Sequence, residues 1–124
     1  MTGLDTNVLL AWLLAGQFSR IPGRAPFRIS LVVLAELVWT LRTTFKRTRS
    51  DIANVVAEVL DMPDFCFANR EVVNDALLAF LDGSADFTDY LLLLDNEFGG
   101  CATTLTYDKK AAKHPEFTLI SKSQ

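Results

Sequence analysis

Short strand-like segments alternate with helix-like segments along this chain, and the alternation limits the folds it can adopt. Strands are predicted where β-branched and aromatic residues cluster, and helices where apolar residues recur three or four positions apart. The predicted strands cover residues 2–5, 27–30, 64–68, 101–107 and 117–120. The predicted helices cover residues 7–14, 31–45, 51–62, 70–83 and 87–98, with a short polar helix or turn at 109–113. This order predicts an α/β fold in which helices cover both faces of a parallel sheet.

Polar and glycine residues mark the predicted helix boundaries. Ser30, Ser50 and Asn69 are predicted N-caps, because their side chains can accept a hydrogen bond from the first helical turn. Gly83 is predicted to end the helix that begins after Asn69. Residues 16–26 are rich in Pro and Gly and are predicted to form a loop.

Length and charge place the chain among globular proteins. Its 124 residues suffice for one domain, predicted to span residues 1–124, and half of them are apolar. Twelve Lys and Arg against fifteen Asp and Glu leave a net charge of −3. This balance excludes a protein coated in cations for binding nucleic acid, so an anionic partner must meet a local basic patch or metal ions.

The cysteine and histidine content excludes several kinds of site. Cys66, Cys101 and His114 lack the spacing of zinc, haem or Cys–His hydrolase sites, and both thiols are predicted to be buried in a reducing compartment. The apolar run at 8–15 is too short to span a bilayer. The region before it carries Asp5 and no Lys or Arg, unlike a secretory leader. We therefore expect a cytoplasmic protein without a membrane partner.

Two acidic residues follow predicted strands. Asp5 ends the first strand, and Asp108 follows the strand at 101–107. The carboxyl ends of parallel strands lie at one edge of a sheet, where ligand sites form. We therefore expect Asp5 and Asp108 to project from the same edge, with Thr6 and Asn7 at the turn after Asp5.

Two further acids lie in apolar helical segments. Glu36 falls in the second turn of the helix capped by Ser30, where burying an uncompensated charge would be costly. It therefore lines a site, points to solvent or pairs with a Lys or Arg. Asp89 lies in the first turn of the helix at 87–98, where it either lines a site or forms a capping box with Asp86.

A shared site for the four acids would require cations. If Asp5, Glu36, Asp89 and Asp108 converge, their charges repel strongly unless protons or divalent ions neutralise them. A ligand set of oxygen atoms without Cys or His favours Mg²⁺ or Mn²⁺ over zinc. Such ions activate water and stabilise the leaving oxygen of a phosphodiester. The acids thus predict metal-dependent phosphodiester hydrolysis without a protein nucleophile.

The segments around these acids resemble the PIN-domain family, specifically the VapC-type ribonuclease toxins of bacterial toxin–antitoxin modules. The segments are LDTNVLL (4–10), ISLVVLAELVWTL (29–41), ADFTDYLLL (85–93) and LTYD (105–108). The acids occur in the family's order, Asp, Glu, Asp, Asp, and are separated by 31, 53 and 19 residues. The likeness covers nearly the whole chain.

This resemblance implies a fold, an activity and a role for each acid. The fold would be a three-layer α/β/α sandwich with a five-stranded parallel sheet, and the activity would be Mg²⁺- or Mn²⁺-dependent endoribonuclease cleavage of single-stranded or structured RNA. Asp5 and Asp89 would be the principal metal ligands. Glu36 would bind metal or orient the attacking water, and Asp108 would be a more peripheral fourth acid.

The resemblance also implies supporting residues and partners. Thr6 and Asn7 would steady Asp5, Thr106 would lie near the metal, and Asp86 would cap a helix or act from outside the ligand shell. A cognate antitoxin protein would be a partner. The apolar runs at 8–15 and 90–94 suggest a homodimer face or an antitoxin groove. Residues 15–28 are shorter than the corresponding segment of these toxins, which serves substrate access or antitoxin contact.

Several other residues have two interpretations each. The basic cluster, defined as Arg42, Lys46, Arg47 and Arg49, either steers RNA phosphates or is a solvated helix end, and the lysines at 109–113 have the same alternatives. For the aromatic and histidine side chains, a structural role is a simpler interpretation than a role in catalysis or base stacking. Core or interface positions are predicted for Trp12 and Trp39, core packing for Tyr90, and an exposed loop position for His114.

Two alternative functions remain open at this point. A non-catalytic PIN-like module that binds RNA or protein would share the fold without cleaving, although the complete set of four acids argues against it. A receiver-like phosphoacceptor domain also gathers aspartates at a sheet edge. It expects a pair of acids at the first strand, where the segment at 5–7 has one.

Overall fold

The computed structural model describes residues 1–15 and 21–121. In this part of the chain, two compact units, Met1–Arg70 and Glu71–Gln124, contain five α-helices, one 3₁₀ helix and five strands. The predicted α/β class is confirmed. Among the described helices, none is long and apolar enough to cross a membrane.

Three parallel strands form the sheet of the first unit. The strands β1 (Thr2–Gly3), β2 (Phe27–Ile29) and β3 (Phe65–Phe67) are hydrogen-bonded in that order. In the parallel register Thr2 lies opposite Phe27, and Phe27 lies opposite Phe65. Because these strands run in the same direction, the residues that follow β1 and β2 emerge at one edge of the sheet.

Three helices connect these strands. They are α1 (Thr6–Leu14), α2 (Leu31–Thr43) and α3 (Arg49–Asp61). The predicted cap of α2 is confirmed, since the Ser30 hydroxyl accepts a hydrogen bond from the Val33 N–H at 3.2 Å. Of the predicted loop at 16–26, residues 21–26 form neither helix nor strand, and residues 16–20 lie outside the described residues.

The predicted cap of α3 at Ser50 is wrong by two residues. Thr48 is the N-cap, and its hydroxyl accepts a hydrogen bond from the Asp51 N–H at 3.1 Å. The Asp51 carboxylate accepts the Thr48 N–H in return, at 3.2 Å. This reciprocal pair satisfies two N–H groups of the first turn, so the helix begins earlier and Ser50 becomes part of that turn.

The described core of the first unit is mainly aliphatic and includes an aromatic contact. The Trp12 ring packs edge-on against Phe65, with 5.0 Å between the ring centroids. This confirms a core position for Trp12. Trp39, in contrast, is 57% exposed and lies outside the core. The fully buried large aliphatic residues of this unit are Leu9, Ile29, Leu34, Leu37, Val56 and Val59.

The second unit combines two helices with two strands. It contains α4 (Arg70–Asp82), α5 (Phe87–Phe98), β4 (Thr104–Thr106) and β5 (Phe117–Leu119), with the 3₁₀ helix at Ala111–Lys113. The strands pair in parallel. The helix bounds of α5 agree with the predicted range, because Asp86 and the glycines after residue 98 are strong local boundary signals.

An aromatic pair anchors the core of this second unit. The rings of Phe80 on α4 and Phe87 on α5 meet edge to face, with centroids 5.9 Å apart. Phe87 and Leu93 are fully buried, and Tyr90 is 2% exposed. The prediction that Tyr90 packs in the core is therefore confirmed.

The predicted five-stranded sheet is not what the described residues form. Their strands pair as one three-stranded and one two-stranded sheet, both parallel. Each predicted strand segment contains one observed strand, shortened to two or three residues. Local sequence patterns predict that a strand exists. Which strands become hydrogen-bonded neighbours depends on where segments distant in the sequence pack. The alternation of segments therefore could not predict which edges pair.

The two cysteines also depart from prediction. Cys66 lies in β3 and is half-buried, whereas Cys101 is exposed and precedes the start of β4. Both are free thiols. The predicted burial of Cys101 is wrong because it assumed a strand over 101–107, and only the later part of that segment joins the ladder with β5.

Candidate functional site

One threonine links two of the predicted site acids in the first unit. The Thr6 N–H donates to Asp5 Oδ1 at 2.7 Å, and the Thr6 hydroxyl donates to Glu36 Oε1 at 3.2 Å. Asp5 and Glu36 are 31 residues apart in sequence. The hydrogen bonds therefore bring together two carboxylates that the chain itself keeps far apart. We call Asp5, Thr6 and Glu36 the Asp5–Glu36 cluster.

The local fold explains why these residues meet. Asp5 is the N-cap of α1, so its side chain turns back to the first N–H of that helix. Thr6 is the first residue of α1, and Glu36 lies in the second turn of α2. Because α1 and α2 follow adjacent parallel strands, their first turns lie near the same sheet edge.

Burial differs across the cluster. Thr6 is 6% exposed, whereas Asp5 and Glu36 are both exposed. The buried residues Leu34 and Leu37 of α2 lie on other sides of the helix from Glu36. Glu36 therefore keeps its hydration and avoids the burial cost raised by its apolar neighbours in sequence.

Asp89 is held at the start of α5. Asp86 is the N-cap of this helix, and its N–H donates to Asp89 Oδ2 at 3.2 Å. Asp89 is half-buried. The capping-box interpretation thus holds for Asp89 as well as for Asp86. This bond fixes one carboxylate oxygen of Asp89 at the start of α5.

Asp108 initiates the turn that follows β4. Its Oδ1 accepts the Lys110 N–H at 2.8 Å, and its own N–H donates to the Thr106 hydroxyl at 3.0 Å. An aspartate that bonds the backbone two residues later stabilises a turn. Asp108 is exposed. Thr106 thus positions the backbone of this acid. Its predicted place near a metal stays a prediction.

The structure unites some of the predicted site residues and not others. Asp5 and Glu36 share a hydrogen-bonded residue in the first unit, while Asp89 and Asp108 each have local backbone partners in the second. Within residues 1–15 and 21–121, no group of three or more His, Cys, Asp or Glu side chains is arranged to hold a metal ion. Convergence of all four acids stays a prediction.

The Asp5–Glu36 cluster nevertheless suits Mg²⁺ or Mn²⁺. Its donors are carboxylate and hydroxyl oxygens, which hard divalent cations prefer. Mg²⁺ keeps several waters and commonly uses one or two carboxylates together with substrate phosphates, so a full protein cage is not required. Each hydrogen bond from Thr6 engages one oxygen of a carboxylate. The second oxygen of that carboxylate is of the type that binds a divalent cation.

Sequence reasoning missed a pocket in the second unit. It has a volume of about 610 Å³, and its lining includes Leu78, Asp82, Tyr90 and His114. Its walls come from the end of α4 and the segment around the 3₁₀ helix. No local sequence motif predicts that these two segments form a pocket together. None of the four predicted acids lines this pocket.

His114 is more buried than predicted. It is half-buried, with its ring centroid 6.1 Å from that of Tyr90 and 6.4 Å from that of Phe117. Its Nδ1 accepts the Glu116 N–H at 3.2 Å, so in the neutral ring the proton is on Nε2. The predicted exposed position is wrong because the ring packs near Tyr90, which is distant in sequence, as well as near Phe117, which follows three residues later.

No model of a known protein family, no curated protein and no solved structure matches this chain.

Proposed function

We propose that this protein is a Mg²⁺- or Mn²⁺-dependent endoribonuclease of the PIN type, in which Asp5, Glu36, Asp89 and Asp108 are the acids that bind the cation. The observation that carries the proposal is the Asp5–Glu36 cluster, joined by the two hydrogen bonds of Thr6. Two carboxylates held close to one threonine repel each other, and a divalent cation offsets that repulsion.

Each residue has a distinct task in this proposal. Asp5 and Glu36 supply ligand oxygens, and Thr6 orients the two carboxylates by donating a hydrogen bond to each of them. Asp89 and Asp108 supply the remaining acids from the start of α5 and the end of β4. When bound, the cation would lower the pKa of a water molecule and offset charge on the phosphate.

The biological role follows from the resemblance in sequence. We infer that the chain is the toxin of a toxin–antitoxin pair, that RNA is its substrate and that a cognate antitoxin protein is its partner. A homodimer and a cytoplasmic location complete this proposal. A small antitoxin gene that overlaps or adjoins the gene for this chain would support the role.

Asp5→Asn tests the proposed chemistry. Asn is as good an N-cap as Asp, so α1 is expected to fold normally while a charged ligand is lost. Asp61→Asn is the matched control, since Asp61 is an exposed acid at the end of α3. Cleavage of a transfer-RNA pool in Mg²⁺ should disappear in Asp5→Asn and in EDTA, and should persist in Asp61→Asn. Undiminished cleavage by Asp5→Asn would contradict the mechanism.

A non-catalytic PIN-like module that binds RNA or protein is the second candidate. The finding that favours it is that the described residues contain no group of three potential metal ligands. Titration calorimetry with Mg²⁺ separates the two functions. Heat of binding that is lost in Asp5→Asn supports the nuclease, whereas RNA binding without any response to Mg²⁺ or any cleavage supports the module.

A further inference from the structure

We propose that the exposed face of α2 next to Glu36 binds single-stranded RNA, with Trp39 stacking on an unpaired base and the basic cluster binding the backbone phosphates. This inference rests on the proposed ribonuclease function and specifies the form of its substrate. The observations that carry it all come from the first unit.

Trp39 is positioned to reach a base. It is 57% exposed, whereas Trp12, the other tryptophan of the chain, is 6% exposed. Trp39 lies three residues after Glu36 on α2, so the two side chains are neighbours on the helix surface and about 4.5 Å apart along its axis. A large exposed indole therefore stands next to a proposed metal ligand.

Cations continue from the end of this helix. The basic cluster of Arg42, Lys46, Arg47 and Arg49 begins in the last turn of α2, and all four residues are exposed. The first unit has eight Lys and Arg against six Asp and Glu, a net charge of +2, whereas the second unit has four against nine, a net charge of −5. Positive charge thus concentrates in the unit that presents Trp39.

Lys46 occupies a strained position within this cluster. Its φ is +55°, in the left-handed region that glycine and asparagine adopt at lower cost than other residues. The chain thus has a lysine where a glycine would stabilise the end of α2 better. Backbone strain of this kind is characteristic of functional sites. Here the strained residue is a lysine that follows the end of α2, the helix that carries Trp39.

The chemistry of this face favours single-stranded RNA over other partners. An aromatic platform binds an unpaired base, because bases within an RNA duplex already stack on one another. A protein-docking face would have an apolar centre depleted of charge. Here Glu36 and Arg42 lie three residues before and after Trp39 on α2. Val32 is the other large exposed apolar residue of this helix.

Intrinsic fluorescence provides a direct test. A uridine-rich single-stranded oligoribonucleotide is titrated into the protein in EDTA, so that RNA is not cut. Stacking is expected to quench the emission of the exposed Trp39, and Trp39→Leu should weaken binding about tenfold. Trp39→Phe keeps an aromatic ring and should retain most of the affinity. Leu81→Ala, which changes an exposed apolar residue of α4, should bind like the unmodified protein.

Lys46→Gly tests the phosphate contact independently. It should raise the stability of the fold, because glycine adopts a positive φ without strain, and yet weaken RNA binding. Losing one contact to a single strand should also make the slope of log affinity against log salt less negative by about 0.7. Stabilisation with an unchanged salt dependence would contradict a role for Lys46.

The outcomes separate this inference from the proposed function. Equal RNA affinity of Trp39→Leu and the unmodified protein, or equal quenching by the same RNA annealed to its complement, would overturn the base-stacking platform. A Trp39→Leu protein that loses self-association but retains RNA affinity would also overturn it, in favour of a protein interface. Quenching through Trp39 without cleavage in Mg²⁺ would contradict the nuclease and leave the RNA-binding face supported.

Discussion

Thr6→Val isolates the contact on which the candidate site depends. The substitution keeps the shape of the side chain and the N–H that donates to Asp5, and it removes only the hydroxyl that donates to Glu36. A hydrogen bond to a charged group contributes about 1.5–3 kcal/mol when it is sheltered from water. Because Glu36 is exposed, water replaces the lost donor, and we expect unfolding free energy to fall by only about 1 kcal/mol.

The expected effect on function is larger than the effect on stability. Residues that orient metal ligands typically change metal affinity or activity about 10- to 100-fold when they are replaced. The Mg²⁺ concentration for half-maximal RNA cleavage should therefore rise at least about tenfold in Thr6→Val. In urea the unfolding midpoint should shift by about 0.5 M, for an m-value near 2 kcal/mol/M.

Thr6→Ser is the matched control, because it retains the hydroxyl and loses a methyl group. It should keep the Mg²⁺ dependence of the unmodified protein. If Thr6→Val cleaves RNA with unchanged Mg²⁺ dependence, or if Thr6→Ser is as impaired as Thr6→Val, the hydroxyl does not organise Glu36 and the reasoning fails.

Three further predictions concern the folded state. Thr48→Ala should lower the free energy of unfolding by about 1 kcal/mol, and Ser50→Ala should change it little, as measured in urea, because Thr48 caps α3. Tyr90→Phe should cost about 1–3 kcal/mol, because it leaves the buried Ala85 N–H without the phenol oxygen it donates to at 3.1 Å. Gly83→Ala should cost a similar amount, about 1–3 kcal/mol, and lower the melting temperature, since the new Cβ would overlap the Tyr90 hydroxyl. Melting at the unmodified temperature would contradict that packing.

Most of the local structure was predictable from short stretches of sequence. The range of α5, the Ser30 cap and the approximate positions of all the strands in the described residues follow from signals within a few residues of each boundary. Where two such signals competed, as between Ser50 and Thr48, the reciprocal bonds with Asp51 decided the start of α3. Strand pairing was not predictable in this way, because it depends on segments far apart in the chain.

The candidate site was likewise predictable in its acids and not predictable in the hydrogen bond that joins two of them. Its candidate acids could be proposed from the sequence because Asp5 and Asp108 follow strands. The bridge from Thr6 to Glu36 could not, since it needs the first turns of α1 and α2 to lie side by side. Trp39 was predicted to lie in the core or at an interface, and only the structure shows that it lies outside the core, because an apolar run in sequence does not reveal which side of a helix is covered.

By itself, the sequence determined the elements of this protein and the residues capable of binding a cation, because propensity, capping and residue chemistry act over a few neighbouring positions. The tertiary structure alone decided that Asp5 and Glu36 share Thr6, that Trp39 stands exposed beside Glu36, and that His114 is enclosed by aromatic rings. Those outcomes depend on how helices and strands from distant parts of the chain pack within each unit, and packing is set by the summed contacts of many residues.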